Sequence, residues 1–135
     1  MRELLVDTSA WYPLAVASHP DHARVRAALA ERVADRFVVV TTNLIVAETH
    51  ALLMRRVHGA AARRFVGLVR EPPNVVVTAT PALEETALHD WLDRFTDQPF
   101  SLTDAVSFAV MRERNIEEAL ALDHHFVVAG FTVRP

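Results

Sequence analysis

The sequence predicts an α/β fold in which a parallel sheet of four to five strands is covered by helices on both faces. Three observations carry that expectation. Residues 4–6, 37–40, 75–77 and 119–122 are short apolar runs with no polar alternation, the pattern of strands buried on both faces. Between them lie longer segments with apolar residues at helical spacing. Proline, glycine and small polar residues separate the two kinds of segment from one end of the chain to the other, the alternation that a parallel sheet with crossover helices requires.

In chain order, the first strand ends at Asp7, and the apolar residues 10–17, with Pro13 early among them, predict a helix starting near the strand end. His19, Pro20 and Asp21 mark a fresh start. The next helix is amphipathic, with Ala23, Val25, Ala27, Ala28, Leu29 and Val33 on its apolar side. The second strand, from Phe37, is closed by Thr41 and Thr42, and Asn43 is the expected N-cap of a helix that stops at Gly59. A further helix runs from 60 to about 69, before Pro72 and Pro73. After the third strand, Pro81 opens a helix running to about Phe95. Ser101 and Asp104 have capping-box spacing ahead of a helix reaching Arg114. The fourth strand, residues 118–123, again ends in an acid, and Phe131, Thr132 and Val133 form a last edge strand.

With 135 residues, 51% of them hydrophobic and 23% charged, the chain is expected to be one globular domain spanning residues 1–135. The absence of cysteine excludes disulfides and thiolate metal sites. Only three consecutive apolar residues precede Asp7, too few for a signal peptide, and no uncharged run approaches membrane-spanning length, so a cytoplasmic location is expected. The net charge of -3 offers a polyanion no general attraction, and nucleic-acid binding would need a local patch. All 14 basic residues are arginine, which excludes P-loop and Schiff-base chemistry.

Four acids share one expected location. Asp7 and Asp123 terminate parallel strands, Asp104 opens a helix, and Glu48 lies one to two turns into the helix after the second strand. Helices in βαβ units begin at the carboxyl edge of the strands, so all four point to that edge. Each has an ordinary alternative, as a turn residue, a helix cap or a solvated charge. Their coincidence at one edge argues for a site. Carboxylates that close repel unless a cation neutralises them, and an all-oxygen donor set suits Mg²⁺ or Mn²⁺.

The segments LLVDTSAW at 4–11, NLIVAE at 43–48, SLTDA at 101–105 and ALDHHF at 121–126 resemble, in this order, the four acidic motifs of PIN-domain ribonucleases. The chain is most similar to the compact VapC-type toxins of type II toxin-antitoxin pairs. The resemblance implies a three-layer α/β/α fold, a homodimer, an antitoxin partner, and Mg²⁺- or Mn²⁺-dependent endonucleolytic cleavage of RNA. It makes Asp7, Glu48, Asp104 and Asp123 the catalytic, metal-binding acids, with Ser9 and Thr103 as supporting hydroxyls. Hydrolysis by metal-activated water would leave 5′-phosphate and 3′-hydroxyl ends.

Arg55, Arg56, Arg63 and Arg64, with Arg70, face only Glu48 and Glu71 between residues 43 and 71, a local positive excess suited to RNA or to an acidic partner such as an antitoxin. His124 and His125 directly follow Asp123; as sequence neighbours they are expected to point apart, and one of them could approach the substrate. A haloacid-dehalogenase-like phosphatase is disfavoured, because it needs a second Asp where Ser9 stands. Two alternatives stay open: a non-catalytic module of the same fold, and an RNA-processing nuclease with no antitoxin.

Overall fold

Leu4, Leu5 and Val6 have no exposed surface because β1 (Glu3–Val6) lies at the centre of a five-stranded, all-parallel sheet. The computed structural model describes residues 1–135. The other strands are β2 (Val38–Thr42), β3 (Val75–Val77), β4 (Glu118–Leu120) and β5 (Thr132–Arg134), in the spatial order β3-β2-β1-β4-β5. Helices α1 (Thr8–Ala15), α2 (His22–Ala34), α3 (Asn43–Arg56), α4 (Gly59–Val69), α5 (Pro81–Ala87), α6 (Leu102–Arg114) and α7 (His125–Val128) complete a three-layer α/β/α arrangement. The chain builds β2 and β3 on one side of β1 and β4 and β5 on the other. A crevice therefore opens beyond the carboxyl ends of β1 and β4, where strand order switches direction.

α6 is buried from Asp104 to Met111 without interruption, so it acts as a core element and not as an amphipathic cover. Its Phe108 meets Phe100 and Phe126 edge-on, each at a centroid distance of 5.0 Å. Phe126 is fully buried, and truncating such a residue typically costs about 3–5 kcal/mol. That anchor fixes α7, a single turn too short to hold itself.

Several boundaries differ from the sequence expectation. Thr42, not Asn43, caps α3: its Oγ1 accepts the N–H of Ile45 at 3.1 Å, while Asn43 Oδ1 accepts the N–H of Ala79 and ties the segment after β3 to the helix start. Gly59 does not stop α3. The helix ends at Arg56, and Gly59 opens α4 behind His58, whose Nδ1 accepts the N–H of Ala61. The helix opened by Pro81 changes into a π-helical turn at Leu88–Leu92, closed by the Asp93 N–H to Leu88 C=O bond, with Trp91 buried against Phe108. β4 ends at Leu120, so Asp123 lies in the loop beyond it. No helix is long and apolar enough to cross a membrane.

Candidate active site

Asp7 leaves β1 with extended backbone and caps α1, an ordinary task for an Asp at a strand-to-helix turn. Its Oδ2 accepts both the backbone N–H of Ser9 at 3.1 Å and the Ser9 hydroxyl at 2.7 Å. Ser9 Oγ in turn accepts the N–H of Leu122 at 2.9 Å, and the Asp7 N–H bonds Leu120 C=O. The ends of β1 and β4 are thereby locked together.

Asp104 forms the capping box its spacing predicted: its N–H donates to Ser101 Oγ and its Oδ2 accepts the Ser101 N–H, both at 3.0 Å. The cap does not exhaust the side chain. His125 Nδ1 lies 3.0 Å from the same Oδ2, and because an ionised carboxylate only accepts, that ring nitrogen carries the proton. Asp123 repeats the turn made by Asp7, its Oδ1 accepting the backbone N–H two residues on, from His125 at 3.1 Å.

In each of these three carboxylates one oxygen is held by protein donors and the other receives no hydrogen bond. The free atoms are Asp7 Oδ1, Asp104 Oδ1 and Asp123 Oδ2. The acids also sense one another. The Asp7 carboxyl, only 3% exposed, is pushed up to about 7, chiefly by burial; the Ser9 hydroxyl pulls it down and the charges of Asp123 and Asp104 raise it. Asp123 is raised as well, again first by burial, with the His125 N–H opposing and Asp104 adding to the rise. Ligand atoms of Asp104, Asp123 and His125 lie within 4.8 Å of one another. Hard oxygen donors, one free atom per carboxylate and mutual repulsion fit a divalent cation.

Glu48 stays outside this contact network. It lies on the second turn of α3, exposed, with no hydrogen bond or ion pair, and shares with the other three acids only the sheet edge. Thr103 offers its carbonyl to Ser107 Oγ, and its own hydroxyl makes no hydrogen bond; the hydroxyl serving Asp104 is that of Ser101. Ser9 stands where the sequence placed it. His125 is the residue the sequence reading missed. The two histidine rings do not part as expected: they meet edge-on, with centroids 5.1 Å apart, and it is the His125 ring that reaches Asp104. The available signal was its place two residues after a loop acid, beside the apolar anchor Phe126.

Arg55, Arg56, Arg63, Arg64 and Arg70 are all exposed and none joins an ion pair. Arg56 sits over the Tyr12 ring at 5.9 Å, and His19 meets the same ring edge-on. Trp11 is a core residue, donating its Nε1–H to Thr41 Oγ1.

A family model described as PIN domain matches residues 4–131. The chain is 39% identical, over 98% of its own length and 98% of the relative's, to the protein named 23S rRNA-specific endonuclease VapC20 in two strains of Mycobacterium tuberculosis. It is also similar to the crystal structure of Mycobacterium tuberculosis VapC20, described as a sarcin-ricin loop cleaving toxin, with a TM-score of 0.90 at 36% identity, covering 98% of this chain and 100% of that one.

Proposed function

Because this chain belongs to the PIN domain family, we propose that it is a divalent-metal-dependent endoribonuclease, the toxin of a type II toxin-antitoxin pair, acting on the sarcin-ricin loop of 23S rRNA. The observation that carries the chemistry is the set of three buried or half-buried carboxylates from three chain segments, each with one anchored and one free oxygen. Asp7, Asp104 and Asp123 would hold Mg²⁺ or Mn²⁺, with Glu48 as the fourth acid at the same edge. When bound, such a cation polarises the scissile phosphate and makes water acidic enough to attack near neutral pH.

The protein's own part is preorganisation. Ser9 holds the Asp7 carboxylate and ties the end of β1 to the loop after β4, so this acid is set in place before any ion arrives. Burial makes Asp7 a costly charge on its own, and a bound cation would offset that cost and favour the ionised form. Arg55, Arg56, Arg63 and Arg64 supply a positive surface for RNA phosphates, or for the antitoxin. A homodimer in the cytoplasm completes the reading.

The test is cleavage of a sarcin-ricin stem-loop RNA with Mg²⁺, with chelator, and by Asp7→Asn. Metal-dependent cutting lost in the variant supports the reading, with 5′-phosphate ends on the product. Equal cutting by both proteins, or a 2′,3′-cyclic phosphate product, would overturn it.

A further inference from the structure

We infer that His125 is a positioning residue for the metal site, aligning two carboxylates at once: its ring Nδ1–H fixes Asp104 Oδ2 and its backbone N–H fixes Asp123 Oδ1. The inference rests on the metal-dependent reading above and assigns a role that the four acids do not exhaust. Asp104 belongs to α6 and Asp123 to the loop after β4, two segments whose carboxylates repel and share no bond with each other. His125 is the only residue bonded to both, through its ring to Asp104 and through its backbone N–H to Asp123. It holds one oxygen of each, leaving Asp104 Oδ1 and Asp123 Oδ2 unengaged.

The clamp is itself held. Fully buried Phe126, next in the chain, packs edge-on against Phe108, and the Phe100 ring meets the imidazole edge-on at 5.7 Å. With four-fifths of its side chain covered, the ring has little room to swing away. A histidine serving as a direct ligand would use a ring nitrogen for the cation. Here the nitrogen nearest the acids is spent as a donor, which is how residues behind a metal's own ligands orient them.

Two variants separate the roles. Phe at this position keeps the ring volume and removes the donor; Asn keeps a donor near the place of Nδ1 and removes Nε2. Binding of Mn²⁺ alone is followed by the electron paramagnetic resonance signal of the free ion. His125→Phe is expected to weaken Mn²⁺ roughly 10- to 100-fold, the usual loss for a residue supporting a metal's ligands. His125→Asn should retain most of the wild-type affinity.

Unchanged affinity in His125→Phe overturns the inference. So does equal weakening in both variants, which would mark the imidazole as a ligand. A wild-type protein that takes up no Mn²⁺ would remove the metal reading and this one with it, a result distinguishable from binding that the variants leave untouched. Nitrogen-15 NMR of the wild-type imidazoles gives a check that needs no variant to fold: His125 must carry a proton on Nδ1, and an Nε2–H tautomer alone contradicts the assignment.

Discussion

The hydroxyl of Ser9 accepts the backbone N–H of Leu122 at 2.9 Å, joining the turn after β1 to the loop after β4 across 113 residues of chain. The same oxygen donates to Asp7. Ser9→Ala leaves the Leu122 N–H without its partner, a loss of about 1–2 kcal/mol by the usual cost of an unmade hydrogen bond. The Asp7 carboxyl should rise further, since the Ser9 hydroxyl now lowers it. Urea denaturation of the metal-free protein would read the first effect and Mn²⁺ affinity near pH 7 the second; a variant identical to wild type in both would show the bridge to be inert.

Asp7 links stability to pH with a definite sign. Its carboxyl titrates near 7 when folded against 3.8 as a free side chain, so the folded state binds the proton more tightly. Metal-free stability is therefore highest at acid pH with respect to this group, falls as pH climbs from about 4 to about 7, and is flat beyond. A shift of that size corresponds to roughly 4 kcal/mol at 1.36 kcal/mol per unit. Asp123, also raised, acts in the same direction. Asp7→Asn should flatten the slope and leave the metal-free protein more stable than wild type at pH 8, while lowering the cleavage rate about 100-fold or more, near 3 kcal/mol of barrier. A variant less stable than wild type at pH 8 would contradict the burial argument.

Metal should reverse that penalty. A cation present at 100 times its dissociation constant adds about 2.7 kcal/mol to the folded state. The gain in melting temperature on adding Mg²⁺ is expected to be larger at pH 8 than at pH 5, where protons compete for Asp7 and Asp123. Equal gains at both values would mean the ion binds elsewhere.

Glu48 offers a cleaner separation of activity from stability. Exposed and unpaired, it should tolerate Glu48→Gln within about 0.5 kcal/mol by thermal melting. If it serves as the fourth acid, cleavage falls about 10-fold or more at fixed Mg²⁺. Full activity would remove it from the site.

The arginine surface is tested through salt. None of Arg55, Arg56, Arg63 and Arg64 holds a carboxylate, so Arg63→Ala with Arg64→Ala should leave folding intact. If both contact single-stranded phosphates, RNA binding by an inactive background loses about 1.4 from the slope of log affinity against log salt. An unchanged slope would give this surface to the antitoxin.

What could be read in advance was what depends on local runs of residue type. Three apolar residues in a row at 4–6 suffice for a strand buried on both faces, and an acid at the end of such a strand or at the head of a helix is placed by that element alone. What failed depends on atoms far apart in sequence. Asn43 has the chemistry of a cap, but Ala79 engages it. The end of α3 is a local exception: the helix stops at Arg56, and His58 caps α4, which the glycine expected to stop α3 instead opens. The inward turn of His125 follows from the seat of Phe126 on α6, a distant contact that residues 123–126 signal only through the apolar Phe126 itself. The π-helical turn at Leu88–Leu92 adds no break in apolar spacing that a helical period would register.

The capping box of α6 and the twin turns after β1 and β4 use the very groups that would grip an ion. Joinery and chemistry thus fall to the two oxygens of the same carboxylates. A descendant of this chain that abandoned the reaction by discarding Asp104 or Asp123 would also loosen the start of its most enclosed helix or the seam beside its last strands, so silence would come with a softer scaffold, whereas one that discarded Glu48 could fall silent and stay as rigid as before.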